Sequence, residues 1–282
     1  MTQKSLKEKR PVASTLDHIQ EALEPLVTDP GAAVIFLDLD GTLAPITLKP
    51  ADAAVPPEIS RLVRKLEHRF LAVAIVSGRP ATEAKRITGN SELTYIGNHG
   101  FETMLPGRAV VVCDEATPFI PKIRELLEFV RNVPDTVDSG IIVEDKSATL
   151  SFHFRRAADQ DEALSFIHSK FFPMIEKLGL AVDEGRKVVE VKPPVEVNKG
   201  VAVGRLLDRL GAKKSLYAGD DTTDIDALKE LRKRKRRKNT VAVGVGVISN
   251  EMPPDLPRYA DLLVERTSGM EMVLQIMAGE EP

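Results

Sequence analysis

Six apolar residues, Ala32-Ala33-Val34-Ile35-Phe36-Leu37, stop abruptly at Asp38-Leu39-Asp40-Gly41. A short unbroken apolar run bounded by turn formers fits a strand covered on both faces, as in a parallel sheet between helices. The pattern recurs. Residues 71–76 end at Ser77-Gly78-Arg79, residues 94–96 at Gly97-Asn98-His99-Gly100, and residues 215–218 at Gly219-Asp220-Asp221. Residues 241–247 and 262–264 are two more apolar strands. Between them lies helical periodicity: 14–27 (Leu16, Ile19, Leu23, Leu26), 57–68 (Ile59, Leu62, Val63, Leu66), 80–88, 198–210 and a helix starting near 223. Strand–helix alternation of this kind argues for a doubly wound parallel sheet.

The texture changes near residue 105. The pattern predicts a strand at 108–113, a helix at 119–131 (Ile120, Ile123, Leu126, Leu127, Val130), hairpin arms at 139–145 and 148–155, a long helix at 159–178 and a strand at 187–192. In the second hairpin arm Leu150, Phe152 and Phe154 point one way, and Ser151, His153 and Arg155 the other. That alternation suits an antiparallel sheet packed on one face only. The fold expected is α/β: a doubly wound parallel-sheet (Rossmann-like) core from residues 1–104 and 194–282, with an inserted α+β cap domain at 105–193. Residues 1–13 are expected to be frayed.

A chain of 282 residues has room for two modest cores. Its net charge of −3 gives no global attraction to nucleic acid or anionic membrane. The basic run at 232–238 has no interleaved aromatic residue and reads as a solvated helix end and loop. No stretch is apolar enough to span a membrane or to serve as a secretory signal. The single cysteine, Cys113, allows no internal disulfide and lies in an apolar run, where it reads as packing. The cytoplasm is the default expectation, and a monomer is expected.

Ligands of open parallel sheets bind beyond the carboxyl ends of the strands. Here those ends carry Asp38 and Asp40, Ser77, and Asp220 and Asp221. If the strands are neighbours, the four carboxylates converge, and like charges so close repel unless a cation joins them. Oxygen ligands of this kind point to a hard ion, with Mg²⁺ the common case. Asp38 and Asp40, two apart, leave the strand on the same side, so one can attack as a nucleophile while the other shuttles a proton. Gly41 lets backbone N–H groups approach a phosphate, Thr42 adds a hydroxyl, and Lys199 opens the 198–210 helix with an ammonium beside its N-terminal N–H groups. Taken singly, these signals are weak. Asp-x-Asp-Gly alone is a turn, Asp224 fits a helix start, and His99 between glycines fits a loop. The polar face of Glu144, Lys146, His153, Arg155 and Glu190 fits either a wet sheet face or a sugar-reading lid.

In order along the chain, the set resembles the haloacid dehalogenase superfamily. Phe36-Leu37-Asp38-Leu39-Asp40-Gly41-Thr42-Leu43 is similar to its first motif, Ser77-Gly78-Arg79 to its second, Lys199 to its third and Gly219-Asp220-Asp221 to its fourth. More narrowly the chain resembles trehalose-6-phosphate phosphatases, through Asp40 to Ile46, Tyr95 to Gly100, Glu144-Asp145-Lys146 with His153-Phe154-Arg155, and Gly219 to Asp224. The resemblance implies a nucleophile and metal ligand at Asp38, and a general acid–base at Asp40 that also ligates metal through its backbone carbonyl. It implies metal at Asp220 with Asp221 and Asp224 in support, and a phosphoryl group held by Thr42, Ser77, Gly78 and Lys199. Arg79, Asn98, His99, Glu144, Lys146, His153, Arg155 and Glu190 would contact the sugar. Mg²⁺ would be the cofactor and trehalose 6-phosphate the substrate. A chain of this length has no room for a fused synthase domain, so any synthase would be a separate partner. Ile225 and Leu228 depart from the family's usual acidic residue and Phe. Alternatives left open are another sugar-phosphate phosphatase (sucrose phosphate or a glycosyl or mannosyl phosphoglycerate), a sugar phosphomutase and a non-catalytic sugar-phosphate sensor.

Overall fold

The computed structural model describes residues 11–47, 52–134, 136, 139–185, 187–249 and 252–282. Of the stretch expected to fray, residues 1–10 lie outside it. The elements run α1 (Leu16–Val27), β1 (Ala33–Asp38), α2 (Pro57–Arg69), β2 (Ala72–Val76), α3 (Ala81–Thr88), β3 (Thr94–Gly97), β4 (Glu102–Met104) and β5 (Val111–Val112). Then follow α4 (Ile120–Arg131), β6 (Ile142–Asp145), β7 (Leu150–His153), α5 (Gln160–Leu178), β8 (Ala181–Gly185) and β9 (Val188–Lys192). The chain closes with α6 (Lys199–Leu210), β10 (Lys214–Gly219), α7 (Asp224–Lys235), β11 (Val241–Ile248), β12 (Leu262–Glu265) and α8 (Arg266–Ala278). Among the described residues no helix is long and apolar enough to cross a membrane.

The apolar runs pair into one sheet of order β12-β11-β10-β1-β2-β3-β4-β5, parallel from β12 to β3. Every residue of β1 is buried, because both faces are covered. Ile35 and Leu37 face α1, α2 and α8, whereas Val34 and Phe36 face α6 and α7. Strand β1 lies between β10 and β2, with Leu37 level with Ala218 and Asp38 level with Val76. The three motif-bearing strand ends are therefore neighbours on one edge of the sheet.

A second antiparallel sheet, β6-β7-β9-β8, has its own apolar core against α4 and α5. Phe152 stacks on Phe171 with ring centroids 4.9 Å apart. Three details differ from expectation. Val111–Val112 pair with β4 and so extend the large sheet, past the boundary expected at residue 104. This strand is shorter than the one expected at 108–113 and partly exposed, and nothing in so short a run says which sheet it joins. Strand β8 went unforeseen, because its residues are half-buried or exposed and lack apolar alternation. The basic run is not wholly solvated either. Arg234 is only 5% exposed and pins α7 to α6 through Asp208 and the Gly204 carbonyl.

Candidate active site

Where β1 ends, Gly41 takes φ +86, a left-handed turn that costs a glycine little. A Cβ there would come within 2.2 Å of the Asp220 carboxylate, so the loops after β1 and β10 touch only because position 41 is bare. That contact brings Asp220 to Asp38. Together with Asp224 they form a buried cluster whose oxygens lie within 4.8 Å of one another. Lys199, first residue of α6, is fixed by its neighbour Asn198, whose side chain caps the helix through the Val201 N–H. Its Nζ reaches Asp38 Oδ1 at 2.7 Å and Asp224 Oδ1 at 2.6 Å. Burial opposes the charge on Lys199, but Asp224 and Asp38 outweigh it and hold the ammonium above its ordinary range.

Asp224 acts as a brace. Its Oδ1 accepts from Lys199 and from the Tyr217 hydroxyl (2.5 Å), and its Oδ2 from the backbone N–H groups of Asp220 (3.0 Å) and Asp221 (2.9 Å). Four donors fill a carboxylate's four acceptor directions. Asp38 and Asp220 keep free capacity. The Asp220 Oδ1 is buried without a partner. Burial, then Asp224 and Asp221, push the Asp220 carboxyl up to about 8. Burial and Asp224 likewise raise Asp38, with Lys199 pulling it back. Two carboxyls with acceptor capacity left, one unpartnered oxygen and carboxyl pKa values forced upward fit a hard divalent cation. The acidic cluster is a group that can hold a metal ion.

The loops after β1, β3 and β10 show the same shortage of partners. The hydroxyls of Thr42 and Thr223 are buried and unpaired, as is His99 Nδ1. Ser77, 1% exposed, accepts the Arg79 N–H at 3.1 Å, which folds the Ser77-Gly78-Arg79 turn and leaves its hydroxyl proton free for an anion. Arg79 forks onto Asp40, Nε to Oδ2 at 2.7 Å and Nη2 to Oδ1 at 2.8 Å, and also reaches Glu83. Both carboxylate oxygens of Asp40 are thus held by Arg79. Asp221 is exposed and stands outside the buried carboxylate group.

The second sheet meets these loops through polar contacts. Glu144, Ser151 and Glu190 lie in one cross-strand row. His153 bonds Glu144 at 2.7 Å, which holds Glu144 below the usual carboxylate range. Lys146 Nζ contacts Glu190 at 3.2 Å and the Gly78 carbonyl at 3.4 Å. Burial opposes the charge of Glu190, and the Lys146 ammonium beside it favours that charge. His99 lies 3.5 Å from Glu190, yet burial drives the imidazole down to about 4, so it stands there neutral. Arg155 is exposed and its guanidinium joins none of these groups. Asn98 has a different task from its neighbours. Fully buried, it donates to Glu102 (3.0 Å) and to the Lys146 carbonyl (2.6 Å) and accepts from Thr149 (3.0 Å). With its amide spent, Asn98 pegs the β6–β7 turn to the large sheet. The sequence reading missed Tyr217, Glu102 and Thr149. Only Tyr217 left a trace: a hydroxyl in an otherwise apolar strand must find a buried partner.

The trehalose-phosphatase family model matches residues 36–255, a span that contains the second sheet, all of the large sheet except β12 and the first half of β1, and every residue of the site described above. The chain belongs to the trehalose-phosphatase family. Among its relatives is a probable trehalose-phosphate phosphatase H of Arabidopsis thaliana, 34% identical over 262 residues, covering 86% of this chain and 70% of the relative. The chain spans about two thirds of the length of the curated relatives it matches. A solved trehalose-6-phosphate phosphatase related protein aligns with TM-score 0.72 and 23% identity, over 87% of this chain and 97% of that one. A haloacid dehalogenase-like hydrolase from Bacteroides thetaiotaomicron aligns at TM-score 0.59 and 12% identity, over 86% and 98%. These two likenesses concern the fold: a parallel α/β core carrying a cap. Family membership makes this trehalose-phosphatase chain a phosphatase with a sugar phosphate as its substrate class.

Proposed function

We propose that the chain hydrolyses trehalose 6-phosphate to trehalose and phosphate through an aspartyl-phosphate on Asp38, with Mg²⁺ at the carboxylate cluster. The observation that carries this reading is Asp38 itself: a buried carboxylate with one oxygen held by Lys199 and the other left for attack. Asp38, Asp220 and the backbone at Asp40 would hold the ion, with Asp224 bracing the loop. When bound, Mg²⁺ neutralises the carboxylates and polarises the phosphoryl group.

In the first step Asp38 attacks phosphorus and the bond to the sugar oxygen breaks. Asp40, released from Arg79, gives that oxygen its proton. In the second step Asp40 takes a proton from water, the water oxygen attacks phosphorus, and Asp38 leaves as a carboxylate. Lys199 stays charged throughout, and the hydroxyls of Thr42 and Ser77 donate to the phosphoryl oxygens. The polar groups of Glu144, Lys146, His153 and Glu190 would take the sugar hydroxyls and keep water out. His99, neutral at the junction, donates or accepts without adding charge beside the phosphate.

The test is phosphate release from a panel of sugar phosphates, with Mg²⁺ and with EDTA, for wild type and Asp38→Asn. Metal-dependent preference for trehalose 6-phosphate, lost by several orders of magnitude in the variant, is the expected result. Preference for sucrose phosphate or a phosphoglycerate conjugate would overturn the substrate, and substantial activity in Asp38→Asn would overturn the nucleophile.

A further inference from the structure

We infer that a cleft at the opposite end of the large sheet from the carboxylates binds a small phosphate anion, orthophosphate or pyrophosphate. It opens where α6 ends and β10 and β11 begin, and its volume is about 240 Å³. Four cations line it, Lys213, Arg234, Arg237 and Lys238, against a single acid, Asp208.

That acid is already spent. Its two oxygens accept from Arg234 at 2.8 Å each, and Arg237 stands 3.8 Å away. Arg234 is fixed further by Glu230 at 2.7 Å. Lys213 and Lys238 are exposed and have no acidic partner among the described residues. Ser215 lines the same cleft at 2% exposure and adds a hydroxyl to its wall. Uncompensated cations around a concavity draw anions, and a hydroxyl in its wall can donate to one. The space falls below the ~300 Å³ at which drug-sized ligand sites begin, so the occupant is a compact ion.

The basic run supports this division of labour. Arg232, Lys233 and Lys235 turn away to the Arg258 carbonyl, Glu230 and Asp261. Arg237 and Lys238 are the members that line the cleft alongside the buried Arg234. Three elements run from this cleft to the active site. Helix α6 begins at Lys199, α7 begins at Asp224 and β10 ends at Gly219. An anion in the cleft would tie together the far ends of the elements that position the catalytic groups.

The inference stands apart from the reaction proposed above, and so does its test. Thermal melting of the full chain is followed against orthophosphate and, separately, pyrophosphate, with EDTA present and ionic strength held constant with chloride. Wild type should show a saturable rise in Tm, and whichever anion saturates at lower concentration is the better occupant. Lys213→Glu/Lys238→Glu should lose most of that rise while releasing phosphate from substrate at the wild-type rate. Lys213→Gln/Lys238→Gln, a milder change at exposed positions, should lose part of it. No rise in wild type, or an undiminished rise in both variants, would overturn the inference; the second result would assign the binding to the active site.

Discussion

The arrangement around Asp224 shows how one side chain organises a site without touching substrate. Its carboxylate is invisible to solvent and takes one ammonium, one phenol and two backbone N–H groups. Burial, then Asp224 and Asp38, hold the Tyr217 phenol above its ordinary range, so it remains a neutral donor at any physiological pH. Removing that donor leaves Asp224 Oδ1 to Lys199 alone, and a hydrogen bond to a charged group contributes about 1.5–3 kcal/mol. Tyr217→Phe should therefore lower stability to urea by about that amount. It should also weaken metal-dependent activity, because Asp220 and Asp221 hang from the same carboxylate. An unchanged midpoint in urea would mean that Lys199 and the two N–H groups suffice. The Arg79 fork on Asp40 makes a related point: the acid and its jailer are both supplied by loops, so opening it needs no movement of the sheet.

Helices α6 and α7 cross closely because α6 presents Gly200 and Gly204 to its neighbour. A Cβ on Gly200 would fall 2.3 Å from the Asp226 carbonyl oxygen, which is backbone and has no rotamer to escape into. Gly200→Ala should cost about 1–3 kcal/mol by overpacking and should shift Lys199, its immediate neighbour, away from Asp224. Urea unfolding reads the first effect and kcat the second. A stable, fully active variant would show that the two helices part easily. Much at this scale was legible in the sequence. The strands β1, β2, β3, β10, β11 and β12 stand out as apolar runs because both their faces are buried. Asp38, Ser77 and Asp220 could be singled out because each sits where such a strand ends, and Lys199 because it opens a helix. What was not legible depends on contacts between distant segments. Asn98 looks like one more polar loop residue, and only the approach of the β6–β7 turn reveals it as a peg. Arg234 sits in a run of seven basic residues, and nothing local says that it alone is buried.

Across the whole molecule, the acidic cluster links metal, proton and stability. Without a cation the Asp220 carboxyl titrates at about 8 in the folded chain, against an ordinary 3.8. Between those values the folded state holds a proton that the unfolded state has released, so raising the pH removes stability. Asp38, raised for the same reason, adds to the trend. His99 works in the other direction: its imidazole, lowered to about 4, contributes stability above its ordinary 6.5 that is lost as pH falls toward 4. Below pH 6.5 the His99 change offsets part of the carboxyl loss, and above 6.5 the loss stands alone, so the metal-free protein should lose stability as pH rises from 6.5 to 8. A divalent cation replaces the proton on the cluster and leaves His99 untouched. The rise in Tm on adding MgCl₂ over EDTA should accordingly be small at pH 5 and larger at pH 8. Asp220→Asn, which removes the titrating group, should flatten the difference. Equal rises at both pH values in wild type would place the ion away from Asp38 and Asp220, and the mechanism would need another centre.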